Sequence, residues 1–141
     1  MKKLIIFVAI LLLVTGCRRQ RVLECTYVEN LGNEIVTTEN RYIFSRDGSY
    51  LNSLEWIVRL ELTGELHNIY DILREVESDC DELNSERAMT CSVSRRNNVV
   101  TRRITFDLSL ADQNDEELAE LRNTSYDRMR ASYNYSRYVC N

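Results

Sequence analysis

The chain has 141 residues and a mass of 16.6 kDa, the size of one domain. It carries 18 Lys and Arg against 22 Asp and Glu, a net charge of −4, with one histidine, four glycines and no proline. A single histidine excludes a multi-histidine metal site, and the lack of G-x-x-x-x-G-K and G-x-G-x-x-G excludes the loops that cradle phosphates.

Residues 4–14 (LIIFVAILLLV) form an uncharged apolar run behind Lys2 and Lys3. A membrane-spanning helix needs about 20 such residues, so this shorter run suits the h-region of a secretory signal. Val14-Thr15-Gly16-Cys17 then resembles a bacterial lipobox. The resemblance implies cleavage after Gly16 and a diacylglycerol thioether on Cys17. Residues 1–16 thus read as a lipoprotein signal peptide, 17–21 as a lipidated tether and 22–141 as a single α+β domain. Two or more acyl chains hold a protein durably where one does not. Arg18, Arg19 and Arg21 follow either as a solvated tether or at headgroup height, where each adds about 1 kcal/mol beside anionic lipid. The expected location is the exported side of a cell membrane or outer membrane, and in a Gram-negative source the resemblance, with arginine rather than aspartate at position 18, favours the outer membrane. Lys2 and Lys3 are the only lysines. Processing therefore leaves 16 arginines against 22 carboxylates, a net charge of −6, and one primary amine, the α-amine of Cys17.

Residues 22–29 (VLECTYVE) read as a strand, followed by a turn at Leu31-Gly32-Asn33 and a second strand over 34–45. Asp47-Gly48 marks a tight hairpin, because a type I′ turn needs the positive φ that Gly and Asp tolerate. In the third strand, 50–62, Leu54, Trp56, Val58, Leu60 and Leu62 point one way and Glu55, Arg59 and Glu61 the other. That alternation predicts one buried and one wet face. From Thr63-Gly64 the period changes. Leu66, Ile69, Tyr70, Leu73 and Val76 make one apolar stripe of a helix over 65–79, with His67 off the stripe and facing solvent. Two strands follow, 90–96 and 99–108, joined at Asn97-Asn98. Asn114-x-x-Glu117 resembles a capping box, and Ser125 caps a second short helix carrying Met129 and Tyr133. The expected fold is α+β, an antiparallel sheet of about five strands packed against two to three helices.

Setting Cys17 aside leaves Cys25, Cys80, Cys91 and Cys140, an even count that reads as two disulfides in an exported protein. Three pairings are possible. The preferred one joins Cys80 to Cys91 across a short polar loop and Cys25 to Cys140 at the chain end. The gaps of 54, 10 and 48 residues match no zinc signature, so no metal and no cofactor is expected.

Among residues that carry chemistry, Arg95-Arg96 and Arg102-Arg103 lie on the two strands of the last hairpin, with alternation sending one of each pair to either face. They form either a cationic patch for an anionic polymer or headgroup, or a charged edge that discourages strand pairing. Carboxylates cluster at Asp79, Asp81, Glu82, Asp112, Asp115, Glu116 and Glu117. Two held across a sugar would serve a glycosidase, whereas acidic residues at helix starts answer the macrodipole. Tyr126, Tyr133, Tyr135 and Tyr138, interleaved with arginines, suit a recognition surface or the packing of a chain terminus. Nucleic acid is not an expected partner of a net-acidic exported protein.

Four features together resemble the small bacterial lipoproteins of the YehR-like family, a domain of unknown function. They are the lipobox at Cys17, Cys25 in the first strand, the Asp107-Leu108-Ser109 exit into an acidic helix, and the ending Ser125-Tyr126-Asp127 … Tyr138-Val139-Cys140. Cys80 and Cys91 lie outside that pattern. The resemblance implies an α+β fold, an envelope location and no catalytic residues. The expected role is a non-enzymatic binding or accessory module, joined to the bilayer through acylated Cys17 and to an envelope protein or polymer. A carboxylate-based hydrolase of envelope glycans is one alternative. An inhibitor of cationic lysozyme-like enzymes, suggested by the charge of −6, is another.

Overall fold

Strand alternation and one long amphipathic helix account for most of the architecture of the computed structural model, which describes residues 20–64 and 69–141. The signal segment, Cys17, Arg18, Arg19 and His67 lie outside the described residues. Five long strands, β1 (Val22–Asn30), β2 (Glu34–Phe44), β3 (Leu51–Leu62), β4 (Met89–Arg96) and β5 (Val99–Asp107), join a short β6 (Val139–Cys140). Three helices, α1 (Ile69–Leu83), α2 (Glu116–Arg122) and α3 (Tyr126–Ser132), complete the described elements. The sheet order is β4-β5-β3-β2-β1-β6 and every pairing is antiparallel. The class is therefore α+β, as expected, with six strands rather than about five. The sixth is two residues long, too short to leave a periodic signal. It is held by its register on β1, where Cys25 faces Cys140.

Several boundaries differ from the sequence expectation for local reasons. The β2–β3 connection is not a two-residue turn but a six-residue loop, 45–50. The buried Ser45 hydroxyl donates to Asp47 and accepts from the amides of Ser49 and Tyr50. The Asp47 carboxylate also accepts from the Ser49 hydroxyl (2.8 Å) and amide (3.1 Å), and its bonds, that from the Ser45 hydroxyl foremost, hold it down at about 2. Gly48 has φ +76°, and an added Cβ would come within 3.2 Å of the Tyr126 Cβ. Helix α1 runs on to Leu83 because Cys80 and Leu83 extend its apolar stripe onto Cys91, Val93 and Ile104. Asn84 then stitches its end to β4, donating to the Cys91 carbonyl (3.0 Å) and accepting from the Cys91 amide (2.6 Å). The N-cap of α2 is Asp115, not Asn114; its carboxylate accepts from the amides of Glu117 and Leu118. Ser125 caps α3 as expected.

All three helices lie on one face of the sheet. Helix α1 covers β4 and β5. At the other end, Leu118, Leu121 and Met129 from α2 and α3 pack with Leu23, Cys25, Phe44, Leu51, Leu108 and Tyr126. Among the described residues no helix covers the strip between them, and this changes the burial expected for β3. Trp56, on the helical face, is 42% exposed, whereas Ile57, on the open face, is 1% exposed. Ile57 stands beside Glu39 and Arg103 across the ladder and Glu55 and Arg59 along its own strand. Long charged side chains lay apolar stems over a surface and keep their heads in water. Here those heads are tied together: Arg59 to Glu39 (3.0 Å), and Arg41 to Glu55 and Glu24 (2.8 Å each).

Candidate functional site

The uncovered strip is a groove. Its floor is β3, β4 and β5, which place Leu54, Trp56, Met89, Ile104 and Phe106 side by side through the pairings Leu54–Phe106, Trp56–Ile104 and Met89–Phe106. Two open cavities share Glu86, Met89 and Phe106 and so run into one another. One, of about 500 Å³, lies against α1 and is walled by Asp79, Glu82 and Leu83. The other, of about 670 Å³, lies against residues 109–114 and Leu118 of α2. Arg122 braces that second wall: its guanidinium donates to Gln113 (2.6 Å) and to the Leu108 carbonyl (3.0 Å). Leu110, 48% exposed, stands at the rim.

The groove is acidic above an apolar floor. Asp79, Glu82, Glu86 and Asp112 line it, against Arg87 and Arg102. Arg102 is already engaged, 3.5 Å from the Asp79 carboxylate and with its guanidinium carbon 5.6 Å from the Trp56 ring centroid. On α1 the residues 79, 82 and 86 recur at helical spacing and its exit, so three carboxylates fall on one side of the groove.

The four arginines singled out in the sequence do not make one surface. The β4–β5 register sets Arg102 opposite Val93 and Arg95 opposite Val100 on the helical face, and Arg103 opposite Ser92 and Arg96 opposite Val99 on the other. Arg95 lies over the exposed Tyr70 ring, 4.7 Å from its centroid, and donates to the Asn97 carbonyl. Asn97 takes the left-handed backbone of the hairpin, φ 57°.

The disulfides join Cys25 to Cys140 and Cys80 to Cys91, the preferred pairs. The second fastens α1 to β4 and so fixes the acidic wall against the floor. The C-terminal tyrosines mostly pack the terminus. The Tyr42 and Tyr133 hydroxyls are 2.6 Å apart, Asn40 donates to Tyr133 (3.0 Å), and the Tyr138 ring sits between Tyr27 and Tyr133. Burial, and then the Tyr133 hydrogen bond, push the Tyr42 hydroxyl above the ordinary tyrosine range. Only Tyr135 of this group is fully exposed.

Sequence reasoning did not single out Trp56, Met89, Phe106, Glu86 or Leu110 as site residues. The available signal was the lone tryptophan in an otherwise aliphatic strand face. Among the described residues, no three His, Cys, Asp or Glu converge as metal ligands, and no helix is long and apolar enough to cross a membrane. Comparison with family models, curated proteins and solved structures finds no match to this chain.

Proposed function

We propose that this chain is a lipid-anchored envelope protein, of the kind its resemblance to YehR-like lipoproteins implies, acting as a non-enzymatic binding module whose ligand site is the groove. The lipobox at Cys17, the basic residues after it and the paired cysteines support the anchored, exported setting. The observation that carries the binding reading is the half-exposed Trp56 on an apolar floor beside the acidic wall of α1. Burying a large aromatic ring is worth roughly 1.5–3 kcal/mol, so leaving Trp56 open forgoes stability that a ligand would recover. A concave apolar site with a few polar groups at its edge is the usual form of a binding site.

Two measurements test this reading. Replacing Cys17 by serine abolishes incorporation of a radiolabelled fatty acid into the protein; labelling that persists in the variant contradicts the anchor. Incubation with purified cell-wall material releases no soluble sugar. Release that is lost on Glu82→Gln or Asp112→Asn would replace the binding module by a carboxylate hydrolase, since both residues line the groove.

A further inference from the structure

Resting on the reading of the groove as a binding site, we propose that its occupant is a cationic amphipathic helix of a partner protein, seated with its apolar stripe on Trp56 and Phe106 and its Lys or Arg side chains toward Glu82 and Glu86. Three observations lead there. The first is layering. A sheet face is ordinarily covered by helices, and here α1 covers one end and α2 with α3 the other, leaving a strip whose exposed ring is Trp56. A fourth helix, laid between α1 and the α2–α3 pair, would complete the layer, which is the helix-in-groove mode of peptide recognition.

The second is charge. Four carboxylates line the two cavities against two arginines. Arg102 is paired with Asp79 at 3.5 Å. Glu82 and Glu86 stand on the wall as acceptors for a cation and would repel a phosphate, an anionic headgroup or a nucleic acid. The third is the chemistry of the floor. Leu54, Trp56, Ile104, Phe106 and Met89 offer contact area and few hydrogen-bond donors. That matches aliphatic side chains better than the hydroxyls of a sugar.

Trp56 is the only tryptophan of the chain, so its emission reports directly on the groove. The processed, lipidated protein is placed in zwitterionic vesicles and titrated with a synthetic amphipathic helix of leucine and lysine. The same titration uses its counterpart with glutamate for every lysine, and a soluble muropeptide fragment. The leucine–lysine helix should shift the emission to the blue and saturate, while the glutamate helix leaves it unchanged. Exchanging Glu82 and Glu86 together for glutamine should weaken binding about five-fold at low salt, the size expected for two partly exposed ion pairs. That difference should vanish at about 1 M salt, where the screening length is about 3 Å. Equal binding of both helices would overturn the proposal, as would a response to the muropeptide and not to the helix. Sedimentation of the vesicles separates the two levels. Protein that pellets but ignores the helix loses this occupant only; protein left in the supernatant loses the anchor, whatever the emission does.

Discussion

Cys25 of β1 and Cys140 of β6 stand directly opposite each other, and the disulfide between them closes a sequence separation of 115 residues. The Cys80–Cys91 bridge closes only 11. If a crosslink acts chiefly on the unfolded chain, its contribution rises with the logarithm of the loop, to about 5 kcal/mol for the long bridge and about 3 kcal/mol for the short one. Urea unfolding of the Cys25→Ser/Cys140→Ser and Cys80→Ser/Cys91→Ser proteins should therefore show the larger loss for the first pair. The second pair should instead alter the groove, because of the two bridges it is the one that joins α1 to β4. Its mark should be a changed Trp56 emission in the folded protein.

The Tyr42–Tyr133 hydroxyl pair predicts alkaline instability. A free tyrosine titrates near pH 10, and Tyr42 titrates higher in the folded protein because burial and then the Tyr133 hydrogen bond favour its neutral form. The folded state holds this proton more tightly than the unfolded one. The stability it confers is thus whole below pH 10 and lost as pH rises through the higher folded value. Phenolate absorbance should show one late-titrating tyrosine whose ionisation coincides with unfolding. In Tyr133→Phe, Tyr42 and Asn40 lose a partner, a cost of about 1–3 kcal/mol at neutral pH. That variant should also ionise Tyr42 earlier.

Ile57 predicts an unusual response on a face that looks merely charged. Truncating a fully buried isoleucine to alanine costs about 2–5 kcal/mol, and Ile57→Ala should fall in that range although no helix among the described residues covers it. If the stem of Arg59 matters more than its charge, Arg59→Ala should destabilise, Arg59→Leu should restore most of the loss, and high salt should change neither by much. An exposed ion pair by itself is worth about 0–1 kcal/mol. Thermal melts of the three proteins, at low and high salt, make the comparison.

Two glycines with positive φ should differ in their tolerance of alanine. Gly32, φ +89°, has nothing within 4 Å of an added Cβ, whereas at Gly48 the new atom meets Arg21 and Tyr126. Left-handed backbone alone costs about 1–2 kcal/mol for an L-residue. Gly32→Ala should show that cost in a chemical melt, and Gly48→Ala should exceed it, since the Cβ of Tyr126 belongs to the packed start of α3.

Much of this fold was legible in the sequence, for local reasons. Alternation in β3 and β5, glycines at the turns, the helical period of α1 and the serine before α3 each act within a few neighbouring residues. The failures are equally instructive. Alternation told which side of β3 Trp56 and Ile57 occupy but not how far the helices would reach over that side, because coverage depends on where helices far along the chain come to rest. The carboxylate of Asp115, next to Asn114, took the cap that spacing assigned to its neighbour. The groove was invisible for the same reason of distance: its floor comes from residues 54–56 and 89–106, its walls from 79–88 and 109–118. The arginine pairs, by contrast, divide between the two faces as alternation predicts, which leaves two separate pairs rather than one patch of four.

The whole account is tested most directly by the intact mass of the protein extracted from membranes without reductant. It predicts a chain beginning at Cys17, heavier than residues 17–141 by a diacylglyceryl group, with or without an amide-linked acyl chain, and lighter by the hydrogens of two disulfides. A soluble species at the full 16.6 kDa of the unprocessed chain, with its cysteines reduced, would contradict it.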